Sequence, residues 1–146
     1  MKDLHSSLSV AAAIDVATLT DDSIPVAIDL RGHDGAEIIL AIGTGGITFT
    51  STNRIEFILT HSDDDSSYEA VTAADLLGVP TVGEGGIIKA LVEAHATAAV
   101  YRFGYVGTKR YLKLLAALEG THATGTPIAG LVIRGHGRIN PQADQA

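Results

Sequence analysis

The chain has 146 residues, the length of one ordinary domain, and 46% of them are apolar against only 18% charged; soluble domains usually carry about a quarter charged residues, so part of this surface is expected to be covered by partners. Seventeen Asp and Glu outnumber 10 Lys and Arg, for a net charge of −7, and no basic block occurs, so the usual electrostatic footprint of nucleic-acid binding is missing. The absence of cysteine excludes disulfides and thiolate metal sites, and no apolar run approaches the roughly 18 residues of a membrane span.

The start, "MKDLHSSLSVAAAIDVATLTDD", lacks a clean signal peptide, because Asp3 and His5 spoil a basic end and Asp15 breaks the apolar stretch. Residues 1–22 are expected to form an added strand or an arm reaching a neighbour, ahead of a domain over 23–139. Period two then dominates. "SIPVAIDLRG" alternates around Val26, Ile28 and Leu30. "AEIILAIGT" is a β-branched apolar run ending at Gly43, Gly45 and Gly46. "NRIEFILTHS" sets Ile55, Phe57 and Leu59 on one face and Glu56, Ile58 and Thr60 on the other. "SYEAV" can return antiparallel to it. "TAADLLG" reads as one helical turn near 72–78, capped by Thr72 and stopped by Gly78. "GIIKALVEAHATA", within 86–98, carries a helical stripe of Ile87, Ile88, Leu91 and Val92. "AVYRFGYVG" puts Tyr101, Phe103 and Tyr105 on one side. "KRYLKLLAALEG", 109–120, reads as a helix or as a strand burying Leu112, Leu114, Ala116 and Leu118; strand is preferred because it continues an aromatic β run through Gly107. "IAGLVIRGHG" is a last β-rich run, and 140–146 is a polar tail, frayed or partner-bound. The whole reads as all-β, mainly antiparallel: a β-sandwich or a jelly-roll-like barrel with one short helical turn.

Arg-Gly-His occurs twice, in "AIDLRGHDG" and "GLVIRGHGR". The echo is too short for a repeat and reads as a shared way of ending an edge strand.

Candidate chemistry is sparse. "THSDDDSSYEAV" (60–71) fails the calcium-loop pattern: counted from Asp63, Asp65 fits position 3, but Ser67, Tyr68 and Ala74 fall at positions 5, 6 and 12. Asp and Ser favour turns through bonds to the nearby backbone, so the stretch reads as a hairpin bend. His61 adjoins it, and an ion pair there would raise its pKa. None of His5, His33, His61, His95, His122 and His136 shows zinc spacing, and no G-x-S-x-G elbow supports a triad. "GTGGITF" and "GYVGTKRY" miss the phosphate-loop pattern and read as tight turns with positive φ. No catalytic residue, cofactor or metal is expected. The most binding-like group is Tyr101, Arg102, Phe103, Tyr105, Lys109, Arg110 and Tyr111, where aromatics and cations interleave. Three uses fit it: stacking on sugars or bases, a protein interface, or plain cross-strand packing with basic residues at the rim.

The stretch "VYRFGYVGTKRYLKL" resembles small tailed-phage virion proteins, which often read Tyr-Arg-x-Gly-Tyr-x-Gly-x-Lys-Arg-Tyr before a final hairpin. "AIDLRGHDGAEIILAIGT", "FILTHSDDDSSYEAVTAADLLG" and "GLVIRGHGRINP" match in the same order, so that the likeness spans 24–141. The Ala/Leu-rich "IIKALVEAHATAAV" and "LKLLAALEG" depart from it. The resemblance implies a capsid cement (decoration) protein of the virion surface, made in the host cytoplasm. It would bind the major capsid protein and assemble as a homo-oligomer, with a trimer expected. It implies no nucleic acid, no membrane and no active site. A head–tail connector or tail component, a carbohydrate-binding module using the tyrosines, and a small hydrolase using the Asp/His loop are the other readings.

Overall fold

The alternation around Phe57 builds a strand whose inward residues Ile55, Phe57 and Leu59 are fully buried. The same period-two logic runs through most of the molecule. The computed structural model describes residues 3–143, and these form ten strands: β1 (Ser9–Leu19), β2 (Ile28–Asp29), β3 (His33–Ile42), β4 (Arg54–Ser62), β5 (Glu69–Ala70), β6 (Leu76–Leu77), β7 (Ile87–Leu91), β8 (Ala99–Tyr105), β9 (Tyr111–Glu119) and β10 (Thr126–Gly137). Every pairing is antiparallel. Sheet A has the order β1-β10-β3-β8-β6, and sheet B the order β2-β9-β4-β5, with β7 beside β5 on the same edge of β4. The sheets stack as a sandwich. They do not close into the jelly-roll-like barrel, because sheet A ends at β1 and β6 with no strand joining either to sheet B.

Side chains from both inner faces fill the core. Ile38, Leu40 and Ile42 of β3, Ile128 and Val132 of β10 and Phe103 of β8 meet Ile55, Phe57 and Leu59 of β4 and Leu112, Leu114 and Ala116 of β9. Phe49 enters from the glycine-rich loop that follows β3.

The 87–92 stripe is a strand, not a helix. β7 pairs with β4 through a register shift between Phe57 and Ile58. That bulge lets Ile88 and Leu91, three residues apart, point into the core together, which imitates helical spacing. β9 confirms the strand reading of 111–119, with Leu112, Leu114 and Ala116 buried. The helical turn is a 3₁₀ turn over Ala73–Asp75. The Asp75 carboxylate accepts from both the N–H and the hydroxyl of Thr72, each at 2.8 Å.

Residues 20–27 run along the free edge of β9. Ser23 donates its N–H to the Ala116 carbonyl at 3.0 Å, and its Oγ accepts from the Ala116 N–H at 2.8 Å. Asp22 accepts from the Leu118 N–H at 2.7 Å. A strand edge otherwise open to aggregation is thereby covered. In the N-terminal stretch, Ser9–Leu19 lies in sheet A against β10. Residues 1–2, and 144–146 of the polar tail, fall outside the described residues.

Gly43, Gly45 and Gly46 do not take positive φ. What Gly46 supplies is room: a Cβ there would lie 1.6 Å from the Gly125 carbonyl oxygen.

Candidate functional site

The matching stretches of the sequence converge on one end of the sandwich. Residues 29–33 cross there from sheet B to sheet A, and 106–110 cross back. The acidic loop after β4 and the end of β10 lie at the same end, since Ser62 pairs with Tyr111 and Gly137 with His33. The two crossings and the end of β10 line a cleft of about 720 Å³, with Arg31, His33, Asp34, Lys109, Arg110 and Arg138 among its residues, and the acidic loop flanks it through the Asp63–Lys109 pair.

The two Arg-Gly-His copies meet in this cleft. The first copy follows β2, the edge strand of sheet B, as expected, but the second lies within β10, an interior strand of sheet A, where Gly135 pairs with Gly35 of β3. Without side chains these glycines let the two backbones carry their polar neighbours close together, and the His136 ring packs 3.1 Å from where a Gly35 Cβ would lie. His33 Nε2 lies 3.2 Å from Ser9 Oγ and 3.1 Å from Gln142 Oε1. Arg138 bonds Asp34 at 2.6 Å, and its N–H donates to the Gly32 carbonyl.

Asp29 is the knot of the end. Its carboxylate receives both Nε and a terminal nitrogen of Arg110, at 2.9 and 2.7 Å, and the Arg31 N–H at 2.8 Å. Its carbonyl accepts from Arg134 at 3.0 Å. The Arg110 hydrogen bonds hold the Asp29 pKa down at about 2. Arg31 is exposed and, among the described residues, its guanidinium pairs with no carboxylate within ion-pair distance.

The acidic loop is the hairpin bend that its composition predicts. Asp64 accepts from the Ser66 and Ser67 N–H groups at 2.9 and 2.8 Å and from the Ser62 hydroxyl, and these bonds hold its carboxyl far below the ordinary carboxylate range. Asp63 and Glu69 both pair with Lys109, at 2.6 and 3.2 Å. The main partner of His61 is not the aspartate cluster: its Nδ1 lies 3.0 Å from the Tyr105 hydroxyl, with Glu69 at 3.7 Å from Nε2. Among the described residues no three His, Asp and Glu side chains gather as a metal site.

The seven residues of the predicted binding group do not share one surface. Phe103 and Tyr105 are buried between the sheets. The Tyr105 hydroxyl tucks under the 106–110 crossing and accepts the Lys109 N–H at 3.2 Å. Gly107 is needed for that fit, since a Cβ there would lie 2.5 Å from the hydroxyl; its φ is not positive. Tyr101 is half-buried beside His95, with Lys89 over its ring. Lys109 and Arg110 line the cleft, and Arg110 lies over the Tyr111 ring. Arg102 lies apart from the other six, on the outer face of sheet A, paired with Glu37 at 3.6 Å. Sequence reasoning missed Asp29, Arg31, Arg134 and Arg138, although the Arg-Gly-His echo pointed at their neighbourhood.

That outer face is the second notable surface. Register places Val10, Ile133, Glu37, Gly104 and Leu77 in one row across the strands. Ala12, Leu131, Ile39 and Arg102 form the next, and Ala129, Ala41 and Val100 a third. Val100 and Val16 are 70% and 86% exposed. On sheet B the outward residues of β4 and β9 are mixed: Arg54, Glu56, Thr60, Lys113 and Glu119 are interspersed with Ile58, Leu115 and Ala117.

The carboxylates of the cleft end set an acid limit. Asp29, Asp34 and Asp64 all have lowered pKa values, through Arg110, Arg138 and the serine N–H groups respectively. A depressed folded-state pKa stabilises the fold above the unfolded value, and this is lost as pH falls through the folded one. The melting temperature is expected to hold down to roughly pH 5 and to fall from about pH 4 towards pH 2. Arg110→Ala should shrink that fall, while lowering neutral stability by no more than about 1 kcal/mol, since the Arg110–Asp29 pair is about two-fifths exposed. Thermal melts at stepped pH check both.

No protein-family model matches the chain, and no curated protein does. Three solved structures are similar in outline. One is described as the SPBc2 prophage-derived protein YomS (8% identity, TM-score 0.37, covering 86% of this chain and 92% of that one). Another is a family 29 carbohydrate-binding module from Piromyces equi (9%, 0.41, 88% and 92%). The third comes from Bacillus endospore appendages described as disulfide-linked pili (12%, 0.37, 93% and 96%). At these scores they carry no argument about this chain. Among the described residues no helix is long and apolar enough to cross a membrane.

Proposed function

We propose that the chain is a structural protein of a phage virion, a capsid cement protein that docks on the major capsid protein through the cleft end and makes or breaks no bond. The observation that carries the reading is the convergence. Four stretches scattered from 27 to 141 in the sequence, those that resemble tailed-phage virion proteins, meet at one end of a rigid sandwich. There, interlocked ion pairs fix the loops before any partner arrives, which lowers the ordering cost of docking. A capsid repeats its sites by symmetry, so modest affinity at each becomes avidity.

The tyrosines speak against the carbohydrate reading. A stacking platform needs a free ring face. Tyr105 is buried, and Tyr68, Tyr101 and Tyr111 each carry a cation over one face.

The test is co-sedimentation of the purified chain with heads and, separately, with tails of the phage that encodes it. Wild type should pellet with heads. Arg31→Glu, which disturbs no ion pair of the described residues, should weaken binding about tenfold or more, the scale of a lost charge contact at an interface. Glu93→Lys, an exposed change in the loop after β7 at the opposite end, should bind as wild type does. Binding to tails alone would favour the connector or tail reading. Unchanged binding by Arg31→Glu would refute docking through the cleft.

A further inference from the structure

We infer that the outer face of sheet A is an interface with a second copy of this chain, joined face to face about a two-fold axis. Three independent observations converge on that occupant.

First, β3 and β10, in the interior of the sheet, are apolar on both faces. "EIILAI" and "IAGLVI" alternate buried core residues with Ile39, Ala41, Ala129 and Leu131, which point outward. Such unbroken apolar runs belong to strands covered on both sides. Among the described residues these four stay half-exposed, with no second layer over them.

Second, the charge on the face complements itself. The protein carries −7, yet the three rows hold one anion and one cation, Glu37 and Arg102, paired at 3.6 Å. A two-fold axis lying in the face between these residues sets each copy's Arg102 against the other's Glu37. It also sets the apolar residues of one copy's face against those of the other. Isologous contact requires such self-matching. An unrelated partner would have to supply both signs at that spacing.

Third, the size fits. Four strands at about 4.8 Å spacing and some six residues along each, with the two residues of β6 beside them, give roughly 400 Å² in projection. The protruding Val16, Val100 and Leu77, all well exposed, raise the accessible area above that, towards the ~800 Å² per partner of a stable contact. The first row borders the cleft, whose lining includes Ile133, Glu37, Gly104 and Leu77, so the contact lies beside the cleft rim at Arg31 and Lys109, and substitutions at Val100 and Arg102, outside that lining, separate the two surfaces. It replaces the expected trimer with a dimer.

The test is sedimentation equilibrium of the full chain, with far-UV circular dichroism and melting to show that each variant folds. Wild type should be a dimer. Val100→Asp, on an exposed site, should be a folded monomer or dimerise at least tenfold more weakly. Arg102→Glu and Glu37→Arg should each weaken the dimer at least tenfold when alone. Mixed in equal amounts they should form a heterodimer, because each then meets the opposite charge on its partner. A wild-type monomer or trimer overturns the inference, and so does a folded Val100→Asp that dimerises as wild type does. If only Val100→Asp fails to fold, the mixture decides: its remaining monomeric overturns the inference.

Discussion

Replacing Phe57 with alanine is expected to cost about 3–5 kcal/mol, the range for emptying a fully buried aromatic site. Phe57 is 0% exposed and sits in β4, paired to Ala116 of β9 on one side and Lys89 of β7 on the other. Its ring fills the space between the sheets, opposite the buried β3 row. β4 has strand partners along both edges, so the backbone has little freedom to collapse into the vacated volume. A domain of this kind has only about 5–15 kcal/mol in total, so the variant should unfold at a much lower urea concentration with an unchanged slope. A loss under about 1 kcal/mol would contradict a core centred on this residue.

Gly46→Ala is expected to come close to this, at about 2–4 kcal/mol, by overpacking. The added methyl would lie 1.6 Å from the Gly125 oxygen and 2.7 Å from its carbonyl carbon. Both are backbone atoms, so no side-chain rotation relieves the clash. One of the two loops must move. Gly46 is also bound there, its N–H donating to Thr126 Oγ1 and its carbonyl accepting from the Thr124 hydroxyl. Three residues on, the same loop puts Phe49 into the core at 2% exposure. Displacing the loop therefore strips a core aromatic as well. Urea melts check the magnitude, and an effect below about 1 kcal/mol would show that the loops are not in contact.

Much of the fold was legible because a strand writes its burial into the sequence with a fixed period. β4, β8 and β9 follow that period, and so does the bend at 63–68, whose Asp and Ser bond the backbone as their chemistry suggests. The failures have local causes. In β7 a bulge moved Ile88 into line with Leu91, and no alternation rule foresees an inserted residue. Gly46 and Gly107 read as positive-φ turns because glycine's conformational freedom shows in a sequence, whereas its smallness matters only once a neighbour is known. The aromatic side of β8 turned inward, so an array that looked like a binding surface became core and left Lys109 and Arg110 at the cleft. The cleft itself was out of reach. It depends on two sheet-crossing connections that bring Asp29 to Arg110 across 81 residues, and only the paired Arg-Gly-His marked the place.

The most direct measurement of the central claim is amide hydrogen exchange of the chain on intact phage heads, compared with the chain free in solution. Docking through the convergent end should slow exchange in residues 29–35, 106–110 and 134–139 and leave the opposite-end loops at 43–53 and 92–98 unchanged. Protection confined to those opposite loops, or no protection at all on saturated heads, would contradict it.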